Sequence, residues 1–92
     1  MSPSDVRDNP ARSRYELDVD GETAFALYRS APGVVTIFHT EVPGHLRERG
    51  IGSILARGVM QDIRAKGLKI IPRCGLVAAF IRENPEFEDL LG

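Results

Sequence analysis

The chain has 92 residues, 42% of them hydrophobic, with 12 basic and 13 acidic side chains and a formal charge of −1. That length fits one domain with a modest core, and the near-cancelled charge gives no global pull toward nucleic acid or an anionic membrane, so any anion site has to be local. The single cysteine makes no internal disulfide, no apolar run approaches the roughly 18 residues that span a bilayer, and "MSPSDVRDNPARSR" has no apolar core of signal-peptide length, so a cytoplasmic setting is expected.

Residues 1–14 hold two prolines, several charges and few apolar groups, a composition expected of a mobile tail. From Tyr15 the pattern alternates, with Tyr15, Leu17 and Val19 on one face, and Asp20-Gly21 follows as a hairpin turn. A second strand runs from Glu22 to about Arg29, Ala31-Pro32-Gly33 breaks it, and "VVTIFHTEV" reads as a third. Strict alternation along that strand puts Val35, Ile37, His39 and Glu41 on one face and Thr36, Phe38 and Thr40 on the other.

After "PGHLRERG" the period changes: Ile51, Leu55, Val59 and Ile63 recur every four residues, an amphipathic helix with Arg64 and Lys66 near its end and Gly67 just past it. "LKIIP" is a short strand stopped by Pro72, and "LVAAFIRE" is a second helix. Asn84-Pro85 predicts a third helix start, with Asn84 as cap and Glu86, Glu88 and Asp89 in a positive first turn. The expectation is one α/β (α+β) domain over residues 15–92 in the order β-β-β-α-β-α-α, an antiparallel meander followed by a helix and a strand that joins the sheet.

Gly50 and Gly52 stand where the first helix begins, although glycine is a poor helix former. A helix start presents N–H groups without helical partners at the positive end of the dipole, and glycine lets a phosphate approach them, with Arg47 and Arg49 near the same mouth. The alternative is that the two glycines shape a turn and let helix and sheet approach closely. The stretch fails the P-loop pattern, since no Lys follows Gly50, and the dinucleotide pattern, since Leu55 stands where its third Gly or Ala belongs.

The residues do fit R-x-x-G-x-G, Arg47 to Gly52, with Val42-Pro43 closing the strand before it. This resembles motif A of the GNAT superfamily of acyl-CoA-dependent N-acyltransferases. "TEVP", the R-x-x-G-x-G signature, "GLKIIPRC" and "NPEFEDLL" follow in that order and together look like its minimal single-domain YjdJ-type subgroup, although Gly75, Leu76 and Asn84 depart from the residues usual there. The resemblance implies a GNAT-like fold and acetyl-CoA or coenzyme A as cosubstrate, held across Val42, Arg47, Arg49, Gly50, Ile51, Gly52 and Ser53. It also implies an unidentified amine as acceptor. In many members a Glu on the strand before motif A acts as base, which Glu41 matches, and a Tyr acts as acid, which no tyrosine here matches.

Cys74, just past "KIIP" and just before a helix, is the other catalytic candidate, as a nucleophile in a ping-pong route or as a small core hydrophobe. His39 and Glu41 share the parity of Val35 and Ile37, so both are expected to face the parting strands where an acyl-CoA would sit, with a solvated edge as the alternative for His39. His45 reads as a solvated loop residue. Two histidines and one cysteine with no close pair suggest no metal site. Three functions stay open: an acetyl-CoA-dependent N-acetyltransferase, a CoA-binding module without efficient catalysis, and an interaction protein whose glycines serve packing. No nucleic acid or membrane partner is expected, and an open sheet edge would allow a homodimer.

Overall fold

A computed structural model describes residues 2–92 of the chain. Its sheet grows from the turn at Asp20 and Gly21, where φ values of 50° and 80° suit a two-residue hairpin loop. β2 (Arg14–Val19) and β3 (Glu22–Ala31) pair antiparallel there, and β3 pairs antiparallel with β4 (Val34–Glu41). A parallel neighbour needs a crossover, which α1 (Ile51–Ala65) supplies before β5 (Lys69–Pro72) joins β4. The predicted meander, helix and joining strand are therefore all present, and α2 (Gly75–Glu83) follows.

Alternation decides which face is buried. Tyr15, Leu17, Val19, Ala24, Ala26, Tyr28, Val35, Ile37 and Ile70 form one buried face, and the α1 stripe of Ile51, Leu55, Val59, Met60 and Ile63 covers it. Val77, Phe80 and Ile81 of α2 join the same core. Each large apolar side chain so buried contributes about 1.5–3 kcal/mol.

Residues 2–14 differ from the expected mobile tail, whose first residue, Met1, lies outside the described residues. After a 3-10 turn at Pro3–Asp5, β1 (Arg7–Asn9) pairs antiparallel with β2 and makes a fifth strand. Its hold is polar: Asp8 accepts from Tyr28 Oη at 2.6 Å and from Lys66 Nζ at 3.0 Å. The buried Glu16 accepts from Arg7, Asn9 and Arg14. A β-carbon on Gly58 would overlap the Val6 side chain and the Pro3 carbonyl oxygen, so the helix has glycine where this segment crosses it. None of these ties produces apolar alternation, the signal on which a strand is read.

The last segment also differs from expectation. Pro85–Leu90 is a 3-10 helix rather than an α-helix, and Asn84 does not cap it. The Asn84 side chain turns back instead, donating to the Phe80 carbonyl at 2.8 Å and accepting from Arg57 at 2.8 Å, so it serves the end of α2.

One irregularity in the sheet matters for function. Tyr28 lies opposite Ile37 but Leu27 lies opposite His39, which leaves Phe38 as an extra residue in β4. Such a bulge reverses side-chain parity beyond it.

Candidate functional site

β4 outruns its parallel neighbour. Pairing with β5 ends at Ile37 opposite Pro72, and the Arg73 N–H donates to the Ile37 carbonyl at 2.8 Å. The chain then turns into α2 while β4 continues to Glu41. At this parting lies a cavity of about 430 Å³, lined by Thr40 and Val42, by Arg47, Gly50, Gly52 and Ser53, and by Leu76, Ala79, Phe80 and Glu83. Its volume is that of a small-molecule site.

The two glycines serve different ends. Gly50, at φ 74°, closes the 3-10 helix Gly44–Arg49 and opens α1 at once, a left-handed joint that strains other residues. Gly52 answers to close approach: a β-carbon there would stand 2.9 Å from Leu76 Cδ1 and 3.7 Å from Val42 Cγ2. The first helical hydrogen bond runs from the Ile54 N–H to the Gly50 carbonyl at 3.2 Å, and no side chain caps the start. The N–H groups of Ile51, Gly52 and Ser53 thus have no helical acceptor, and they sit at the positive end of a 15-residue helix. Arg47 lines the same mouth, its Nε donating to the Val42 carbonyl at 3.0 Å. Backbone donors and a cation at one mouth together suit a phosphate group.

Of the residues expected to hold a cofactor, Val42, Arg47, Gly50, Gly52 and Ser53 line this cavity. Ile51 is buried in the core, and Arg49 points away to pair with Asp20 at 2.6 Å. Neither is among the lining residues. The sequence-derived parity of His39 and Glu41 is corrected by the bulge. Phe25 pairs with both Glu16 and Glu41, so Glu41 shares the face of Glu16, opposite the helices, and Thr40, opposite the buried Ala26, takes the cavity side. There Glu41 Oε1 lies 3.3 Å from His39 Nε2, with both side chains about half exposed or more (48% and 60% for His39 and Glu41). Cys74 is half-buried at the N-terminal cap of α2, one residue past the last β4–β5 hydrogen bond and outside the cavity lining. His45, read as a solvated loop residue, is exposed and pairs with Glu22.

Five further residues line the cavity. Thr40 was hidden by the bulge. Leu76, Ala79, Phe80 and Glu83 stand at i, i+3, i+4 and i+7 on α2, a stripe that the helical period alone makes visible. Glu83 is the carboxylate among the lining residues, in the last turn of α2.

Both tyrosine phenols are engaged in hydrogen bonds of their own. Tyr15 Oη donates to Asp62 at 2.6 Å, and burial followed by that bond pushes the phenol far above its ordinary value. Burial and the bond to Asp8 push Tyr28 up to about 12. Among the described residues no group of three His, Cys, Asp or Glu gathers as metal ligands, and no helix is long and apolar enough to cross a membrane.

Comparison with known proteins places these observations in a lineage. A family model described as GCN5-related N-acetyl-transferase matches residues 14–90. Protein NATD1 of Xenopus tropicalis is 31% identical over 91 residues, covering 92% of this chain and 84% of that protein. Protein NATD1 of Mus musculus is 29% identical over 86 residues, covering 90% and 78%. The solution NMR structure of a GCN5-like protein from Staphylococcus aureus superposes with a TM-score of 0.72 at 23% identity, over 100% of this chain and 91% of that one, and so shares the fold.

Proposed function

The chain belongs to the GCN5-related N-acetyltransferase family, and on that premise we propose that it is an N-acyltransferase with acetyl-CoA as donor and an amine as acceptor. The observation that carries this reading is the uncapped first turn of α1 opening into the cavity where β4 runs on without β5. The N–H groups of Gly52 and Ser53, with Arg47, are the groups to hold the pyrophosphate. Val42, Leu76, Ala79 and Phe80 line the rest of the space and keep water from the thioester arm.

Acetyl-CoA supplies a thioester whose acyl carbon a neutral amine attacks; the C–N bond forms as the C–S bond breaks, and the proton lost by the amine leaves for a base while the thiolate gains one. Cys74 is the residue proposed to assist. Cys74 follows the point where the strands part, whereas Glu41 stands beside His39 on the face of β4 away from the cavity, and no part in the transfer is proposed for it.

One observation favours a second reading, a CoA-binding module without efficient catalysis: among the described residues, those lining the cavity include no cysteine, histidine or tyrosine. Calorimetric titration with acetyl-CoA, followed by thiol-release assays across a panel of amines, separates the readings. Turnover that Cys74→Ala abolishes while binding persists supports the acyltransferase. Tight binding with no turnover on any amine supports the module, and no binding of any CoA species leaves the glycines with packing alone.

A further inference from the structure

Helices α1 and α2 pack on one face of the sheet, and strand pairing maps what the other face carries. Phe25 stands between Glu16 and Glu41, Leu27 between Arg14 and His39, and Arg29 beside Thr36. The bulge adds Phe38, 40% exposed, with the Arg29 guanidinium 5.2 Å from the centre of its ring. Phe25 and Leu27 are half-buried, and with Phe38 they form an apolar strip along the middle strands, away from both helices. A sheet face that stays in water is usually polar. The charges of this face fall into two sets. Beside β1 they are matched within the chain, Arg7 with Glu16 and Asp18, and Arg14 with Glu16. On β3 and β4 they are not: among the described residues Arg29 has no carboxylate partner, and Glu41 pairs with no lysine or arginine, only with His39.

We propose that a second copy of this chain covers the bare face, in a twofold pair centred on Leu27 with two reciprocal contacts between Arg29 and Glu41. Along β3, Leu27 lies midway between Arg29 and Phe25, the residue opposite Glu41. A twofold axis at Leu27, running across the strands and between two facing sheets, lays Arg29 of each copy over the Phe25 and Glu41 of the other. Neighbouring strands lie about 4.8 Å apart and facing sheets about 10 Å, so the two long side chains meet across the interface while Leu27, Phe25 and Phe38 fill its centre. Such an interface needs one patch complementary to itself, and an unmatched cation and an unmatched anion on either side of an apolar strip provide it. The formal charge of −1 adds little repulsion between copies. The cavity at the mouth of α1 is on the other side of the sheet and stays open in the pair, so the pairing stands apart from the acyltransferase reading.

The test is sedimentation equilibrium of the full chain, for the wild type, Arg29→Glu, Glu41→Arg and the double variant. The wild type is expected to pass from monomer to dimer between about 5 and about 500 µM, the scale of a small interface. Each single reversal sets like charges opposite each other twice and is expected to weaken the pair by about tenfold or more. The double variant is expected to return to within about threefold of the wild type, and an equimolar mixture of the two single variants to pair where neither does alone. Both positions are exposed, so thermal unfolding should differ little among the four proteins. A wild type that stays monomeric throughout overturns the inference and leaves the face to a partner of another kind. A dimer indifferent to both reversals overturns it as well, since the pair then forms elsewhere. So does a loss that neither the double variant nor the mixture repairs.

Discussion

The two ends of α1 are built on opposite principles. At its C-terminal end nearly every polar group is matched: Asp62 accepts from Tyr15 and lies 2.7 Å from Lys66, Lys66 also reaches Asp8, Asp8 accepts from Tyr28, and Arg64 makes two bonds to Asp89. At its N-terminal end the helix has no cap, begins at a left-handed glycine, and meets a cavity rather than a partner. The matched end fixes the sheet and the N-terminal segment around the helix. The unmatched end is what a ligand can complete. An unsatisfied helix start beside a cavity is thus a functional sign because the rest of the same helix shows the chain able to satisfy such groups.

Substitutions at each end test whether the division is real. Ile63→Ala, in the fully buried stripe near the matched end, is expected to lower stability by about 2–5 kcal/mol in urea unfolding. It should leave the coenzyme A affinity of the folded protein unchanged. Lost affinity at full stability would break the comparison.

At the open end, Gly52→Ala brings a β-carbon against Leu76, and Leu76→Ala makes room for it. The double variant is expected to recover thermal stability relative to Gly52→Ala but to bind coenzyme A about tenfold more weakly than Leu76→Ala alone, an estimate on the scale of a lost charge-assisted contact. Recovery of binding with stability would assign Gly52 to packing only.

Alkali should act on the matched end. The phenols of Tyr15 and Tyr28 are raised in the folded chain, so their stabilising effect is complete below the ordinary value of 10.0. It is then lost as pH rises toward the folded value of Tyr28, about 12. Unfolding midpoints between pH 9 and about 12 should fall in the wild type, and fall less in Tyr28→Phe. The smallest effect is expected at Arg49→Ala, which removes an exposed pair with Asp20: under about 0.5 kcal/mol in stability, with unchanged affinity.

What the sequence disclosed follows the strength of its local signals. The Asp20-Gly21 turn, the four-residue period of α1 and the stop at Pro72 each act within a few residues, and each stands where expected. β1 escaped because Arg7, Asp8 and Asn9 are held by side-chain bonds to Glu16, Tyr28 and Lys66, partners that lie far along the chain. The placement of Glu41 failed for another reason: a single extra residue at Phe38 reverses every face beyond it, and nothing in "TIFHTEV" marks the bulge. In the candidate site, Gly50, Gly52 and Arg47 were legible from spacing, whereas Leu76, Ala79 and Phe80 read simply as the apolar side of a helix. Only the fold brings that side to the mouth of α1.

The margins of the sheet bear on how the molecule keeps company with copies of itself. One margin is β1, three residues long and made of Arg7, Asp8 and Asn9; the other is β5, four residues ending in Pro72. Alongside β5, Leu91 forms a parallel bridge to Ile70, and the Gly92 N–H donates to the Ile70 carbonyl at 2.8 Å. Charge and shortness guard one side and Leu91 and Gly92 guard the other, so neither offers a long, bare row of backbone groups to an incoming strand. Stacking of chains edge to edge, the first step toward fibrous aggregates, is thereby discouraged at both ends of the sheet.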